Sequence, residues 1–189
     1  MLFTKADMYT DALKQQLLAT ARNSIRYGLQ HNTSLRVTVE EYPEPLRDIR
    51  ATFVTLHNSS GLRGCIGTTT AVAPLIVSIS ENAYAAAFRD PRFRPLTEQE
   101  FVSVHISLSI LTPSEQMAFT SETELLGQLR PGIDGLIIER HTRKATFLPS
   151  VWSSLKKPED FLYQLKLKAG MFPDQAPVRA WKYQTETIE

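Results

Sequence analysis

A chain of 189 residues is long enough for one domain, or one domain with a small appended lobe, and it buries enough surface to need no disulfide or metal staple. Its 42% hydrophobic and 22% charged residues exclude a disordered or fibrous protein. The balance of 21 basic against 20 acidic residues lacks the overall basic excess of a chain built to wrap nucleic acid, which leaves room only for a local basic patch.

The opening segment, Met1 to Asp7, has no apolar stretch of the signal-peptide kind. The most apolar run, Ala71 to Ile79, is broken by Pro74 and Ser78 and falls short of the ~20 residues that span a bilayer. The single cysteine, Cys65, rules out an intramolecular disulfide and fits a reducing compartment, so the cytoplasm is the expected location.

In chain order, Leu13, Leu17, Ala21, Ile25 and Leu29 recur at helical spacing and predict an amphipathic helix over residues 4–30. A Pro-containing stretch from Asn32 to Asp48 follows, with a short alternating strand at 35–39. Residues 51–57 and 62–68 read as two strands joined by the turn Asn58-Ser59-Ser60-Gly61. Thr70 is the expected cap of a helix running to about Arg89, with Pro74 in its first turn and Leu75, Ile79, Ala83 and Ala86 on the buried side.

The segment Asp90-Pro91-Arg92-Phe93-Arg94-Pro95 breaks that helix. Residues 101–111 then alternate as a strand, with Val102, Val104, Ile106, Leu108 and Ile110 on one face and Ser103, His105, Ser107 and Ser109 on the other. A short helix over 121–130 ends at Pro131-Gly132. A hairpin of 136–139 with 145–148, a last helix over 158–169 and an edge strand near 178–183 complete the chain. Hairpins separated by helices predict an α+β fold whose antiparallel or mixed β-sheet is flanked by helices.

The chemistry-bearing stretch is Gly61-Leu62-Arg63-Gly64-Cys65-Ile66-Gly67-Thr68. Strand alternation sets Arg63, Cys65 and Gly67 on one face, and a cation beside a thiol favours the nucleophilic thiolate. Bare backbone at Gly64 and Gly67 suits close approach of a ligand or of another strand. The hydroxyls of Thr68 and its neighbours, near the expected helix start, could hold an anion. The plain alternative is packing: free cysteines are commonly small buried hydrophobes, and strand glycines often serve bulges.

His105 is a candidate base if its strand meets that of Cys65, and His57 precedes Cys65 on the neighbouring strand. Arg89, Arg92 and Arg94 around Asp90 and Phe93 form either an anion- or partner-binding edge or a rigid loop whose arginines pair with acids. No metal, Walker, nucleophile-elbow or dinucleotide motif is present.

Leu62 to Thr68, then Asn82-Ala83-Tyr84-Ala85-Ala86-Ala87-Phe88-Arg89-Asp90-Pro91-Arg92-Phe93, closely resemble the AMMECR-domain family. Gly135-Leu136-Ile137-Ile138, Leu148-Pro149-Ser150-Val151-Trp152, Phe161-Leu162 and Lys168-Ala169-Gly170 match it too, so the resemblance covers roughly 8–185. It implies one AMMECR-type domain over 1–189, with a larger α+β lobe and a smaller second lobe. It also implies association with Memo-type and radical SAM proteins, as in the AmmeMemoRadiSam system. Family members often carry a tryptophan and a cysteine where this chain has Lys156 and Lys166, so no role of those residues carries over.

The resemblance supplies no reaction, and the sequence decides neither for nor against an enzyme. Two expectations follow. One is a cleft that handles a small anionic ligand, with Arg63, Gly64, Gly67, Thr68, Arg89, Asp90 and Arg92 as binding residues and Cys65 and His105 as the catalytic pair of a thiol-dependent enzyme. The other is a non-catalytic module that docks protein or RNA through the Arg89–Arg94 edge. The sequence implies no particular cofactor.

Overall fold

A computed structural model describes residues 8–189, and these divide into two compact units. The first takes the described residues up to Ile110 with Glu186–Glu189; the second takes Leu111–Thr185. Among the described residues, no helix is long and apolar enough to cross a membrane.

The first unit opens with α1, Asp11–His31, which starts where the Thr10 hydroxyl accepts from the Leu13 amide and stops at Asn32 in the left-handed region. Residues 4–7 of the expected helix lie outside the described residues. The stretch expected as a strand at 35–39 contains none; its last residue opens a 3-10 turn, Val39–Glu41. β1 (Thr52–Asn58) and β2 (Gly61–Gly67) form the expected hairpin.

The next helix, α2, spans Leu75–Phe88 and so begins five residues after Thr70, with Pro74 as its N-cap. The reason is local. The Thr68 hydroxyl holds the Thr70 amide at 3.0 Å in the preceding loop, and the Leu75 amide reaches back to the Asp48 carbonyl at 2.7 Å.

The strand expected from residue 101 is shortened in the same way. Thr97 and Glu100 close a reciprocal capping box, which turns Glu98–Ser103 into helix α3 and exposes Val102 by 83%. Only from His105 to Leu111 does the chain run as β3. The sheet is ordered β2-β1-β3-β8, with β8 at Thr185–Ile188, a strand that carries no sequence signal of its own.

One face of this sheet, through Val54, Leu56, Ile106, Leu108 and Ile110, shares a core with Leu75, Ile79 and Ala86 of α2 and Leu17, Ala21 and Ile25 of α1. Fully burying each of the larger aliphatic side chains contributes roughly 1.5–3 kcal/mol, so this face fixes which side chains are left on the other.

The second unit has a sheet ordered β4-β7-β5-β6: β4 Glu115–Met117, β5 Gly135–Arg140, β6 Arg143–Phe147 and β7 Arg179–Tyr183. Helices α4 (Glu122–Gly127) and α5 (Pro158–Lys168) supply Leu125, Phe161, Leu162 and Leu165 to its core. Trp152 stacks on Phe161 at 3.8 Å and donates its indole N–H to the Asp134 carbonyl at 2.7 Å. Lys166 is only 3% exposed; its ammonium is held by Glu122 and by the Pro173 carbonyl, a structural tie between α4, α5 and the loop that follows. The α+β class stands, with the strands in two four-stranded antiparallel sheets.

Candidate functional site

β2 is an edge strand, and its glycines are explained by packing first. A Cβ on Gly64 would lie 2.1 Å from the Ala86 carbonyl oxygen of α2, and one on Gly67 would lie 2.2 Å from the Thr52 carbonyl oxygen of β1. The bare backbone therefore brings the helix and the neighbouring strand close.

The expected pairing of Arg63 with Cys65 on one face does not form. The ladder runs Thr55 opposite Cys65 and Leu56 opposite Gly64, then His57 opposite Leu62. Arg63 is the extra residue of a bulge, which breaks the alternation that sequence spacing assumes. Its guanidinium turns to Glu100, with Nε donating to Oε1 at 2.7 Å and Nη2 to Oε2 at 3.0 Å and to the Arg94 carbonyl at 2.9 Å. The Phe93 ring lies 5.8 Å from it. Arg63 is 7% exposed, and its Nη1 is buried without an acceptor. Since buried polar groups almost always find partners, that atom is an exception with something to explain.

Asp90 and Arg92 clamp the open side of β2. Asp90 Oδ2 accepts the Cys65 amide at 2.8 Å, while Arg92 donates to both Asp90 oxygens and, at 3.3 Å, to the Cys65 carbonyl. Both backbone groups of Cys65 are thus satisfied where an edge strand would otherwise present them to another chain. The Asp90 side chain is 2% exposed and that of Arg92 54%. The Arg92 hydrogen bond, aided by the Cys65 amide and opposed by burial, holds the Asp90 carboxyl far below the usual carboxylate range.

The other face of the sheet is half-exposed and polar. Thr55 Oγ1 donates to Cys65 Sγ at 3.3 Å, and Ser107 stands opposite Thr55 on β3. Phe53 and Ser109 form the row on one side, His57 and His105 the row on the other. His105 therefore shares the Cys65 face, but its cross-strand partner is His57, and both histidines are exposed.

The Thr68 hydroxyl bonds within its own loop, its amide donates to the Thr52 carbonyl of β1, and, because α2 begins at Leu75, Thr68 does not stand at a helix start. Arg89 caps α2 and lies 5.2 Å over the Tyr84 ring. Among the described residues no group of three His, Cys, Asp or Glu side chains could hold a metal ion. The signals that sequence reasoning missed were Glu100 and Thr55. The Thr97-x-x-Glu100 capping spacing was readable, but its link to Arg63 was not.

The carboxylates set an acid limit. Bonds from Arg63 first, then from Thr97, hold the Glu100 carboxyl down to about 2 from an ordinary 4.5. A depressed carboxyl stabilises the fold in full above its unfolded value and loses that contribution as pH falls towards the folded one. Stability should therefore decline between about pH 4.5 and 2, with Asp90 adding to the loss at the acid end. Urea melts at stepped pH should show this decline, and Glu100→Gln should flatten it.

The AMMECR1 family profile matches residues 18–188. A protein of Methanothermobacter thermautotrophicus is 35% identical over 178 residues, spanning 90% of each chain. Protein MJ0810 of Methanocaldococcus jannaschii is 37% identical over 164 residues, 82% of this chain and 80% of that one. The crystal structure of uncharacterized protein PH0010 from Pyrococcus horikoshii superposes with a TM-score of 0.87 at 28% identity, covering 96% of this chain and 93% of that one.

Proposed function

The chain belongs to the AMMECR1 family, and on that premise we propose that the Cys65 face of its first sheet binds a small, acceptor-rich ligand such as a carboxylate or phosphate ester. The observation that carries this is the half-buried Cys65 thiol, which accepts from the Thr55 hydroxyl at 3.3 Å with Ser107 in the same cross-strand row, on a sheet face that carries hydroxyl and imidazole groups.

Around it, the Arg63–Glu100 and Asp90–Arg92 pairs balance charge one for one. Recognition then rests on directed hydrogen bonds more than on a net positive field. If chemistry follows binding, Cys65 is the nucleophile, its backbone fixed at N–H and C=O by the clamp, and the hydroxyls of Thr55 and Ser107 line its row. His105 enters only as a second-row partner beyond His57.

The test is the melting temperature with a panel of small carboxylates and phosphates, read alongside the alkylation rate of Cys65. A ligand that binds the folded state raises the first and slows the second. Neither effect anywhere in the panel would sink the proposal.

The docking alternative has less support, because the Arg92 guanidinium is committed to Asp90 and that of Arg89 lies over the Tyr84 ring. Joint action with Memo-type and radical SAM proteins stands on the family resemblance. Failure of such proteins to copurify with this chain would count against it.

A further inference from the structure

The β5–β6 hairpin of the second unit ends on two arginines set opposite each other. Leu136 and Ile138 of β5 enter the core with Phe161 and Leu165 of α5, and strand alternation puts Arg140 at the end of that same face. Its direct cross-strand partner is Arg143 of β6, across the turn His141-Thr142. Opposed side chains in an antiparallel pair stand about 4.5–5.5 Å apart at Cβ, and like charges there repel.

Both guanidiniums bond neutral acceptors: Arg140 Nη1 donates to the Ala176 carbonyl at 2.8 Å and Arg143 Nη1 to Gln175 Oε1 at 3.3 Å. Among the described residues neither has an ion pair, so no carboxylate relieves the repulsion. Glu139, next in sequence, belongs to the opposite face, where it bonds Lys144 and Arg179. Asp174 is exposed and bonds neither arginine.

The two arginines, His141, Thr142 and Gln175 line a depression of about 320 Å³ with no acidic residue in its wall. Gln175 is oriented there, since its Oε1 also accepts the Phe172 amide at 3.2 Å, which leaves its side-chain N–H groups as further donors.

We propose that this depression binds a small phosphate monoester, its dianionic group held between Arg140 and Arg143. Guanidinium forks match phosphate oxygens in pairs, and a charge of about −2 answers two arginines where a carboxylate would answer one. The volume lies at the lower end of small-ligand sites and leaves room for a small organic group beside the phosphate. The site belongs to the other unit from Cys65, so it stands or falls separately from the proposal made there.

His141 supplies a reporter, its ring C2 proton being assigned by its loss in His141→Gln. In a proton NMR titration of the full chain at about pH 8, where the phosphate is dianionic, inorganic phosphate and glycerol phosphate should each move that resonance saturably. Acetate at matched ionic strength should not. Arg143→Gln and Arg140→Gln should each weaken binding about tenfold or more, as loss of a charged hydrogen-bond donor does. The alkylation rate of Cys65 should not change on phosphate addition in these variants, which separates this site from the Cys65 face.

Melting temperatures without ligand check that the variants fold, and Arg143 is exposed, so its variant decides even if Arg140→Gln does not fold. No saturable movement at about 10 mM of either phosphate would overturn the proposal. So would an equal response to acetate, binding of inorganic phosphate without the monoester, or unchanged affinity in Arg143→Gln.

Discussion

Gly64→Ala is expected to destabilise the first unit by about 3 kcal/mol or more, the upper end of overpacking costs. The added Cβ would stand 2.1 Å from the Ala86 carbonyl oxygen, and that atom is helix backbone, which cannot swing aside as a side-chain tip can. The unit must separate β2 from α2 or bend the strand. The melting temperature should fall by roughly 6–12 °C at 2–4 °C per kcal/mol for a chain of this size. A change at exposed Gly127, where an added Cβ meets nothing within 4 Å, serves as the control. Equal melting of the two variants would mean that β2 does not need its close seat on α2.

Asp90→Ala is the second large effect, expected at about 2–4 kcal/mol. It removes the acceptor of the Cys65 amide, of the Arg92 amide and of the Arg92 guanidinium at once. Because Arg92 is half in solvent, most of the cost comes from the unmatched Cys65 amide and the freed loop, not from the ion pair. Asp90→Asn keeps a carbonyl acceptor and should cost about half as much. Loss of the clamp also bares an edge strand, so light scattering should report self-association of Asp90→Ala above that of the parent. If urea melts place the two Asp90 variants together with the parent, the clamp is ornamental.

Much of this arrangement could be read from residues in order, and the failures have physical causes. The alternation of Ile106, Leu108 and Ile110 against Ser107 and Ser109 survives because one face is buried and a one-residue slip would invert it. The same alternation, extended back to Val102, misled because a Thr-x-x-Glu box can start a helix over an apolar residue that ends up in solvent.

Arg63 is itself the extra residue of a bulge, which takes it off the Cys65 face, and a bulge leaves no compositional mark beyond nearby glycine. The bond from the Cys65 amide to Asp90 joins positions 25 apart, and the split into two sheets depends on β4 meeting β7 at Gln116 and Trp181. Neither is a local property. The family resemblance stands, and Gly64, Asp90 and Arg63, from the stretches that carry it, hold the frame around Cys65.

The most direct test of the Cys65 face as a working site is the rate of Cys65 alkylation in the native chain against the unfolded one, followed by intact mass. One cysteine means one source of signal. A half-exposed thiol on an open polar face should label in the folded state at a rate within about a factor of ten of the unfolded rate, consistent with an accessible, reactive site. Labelling suppressed by orders of magnitude and released only when the chain unfolds would mark Cys65 as a packing residue and contradict the proposed site.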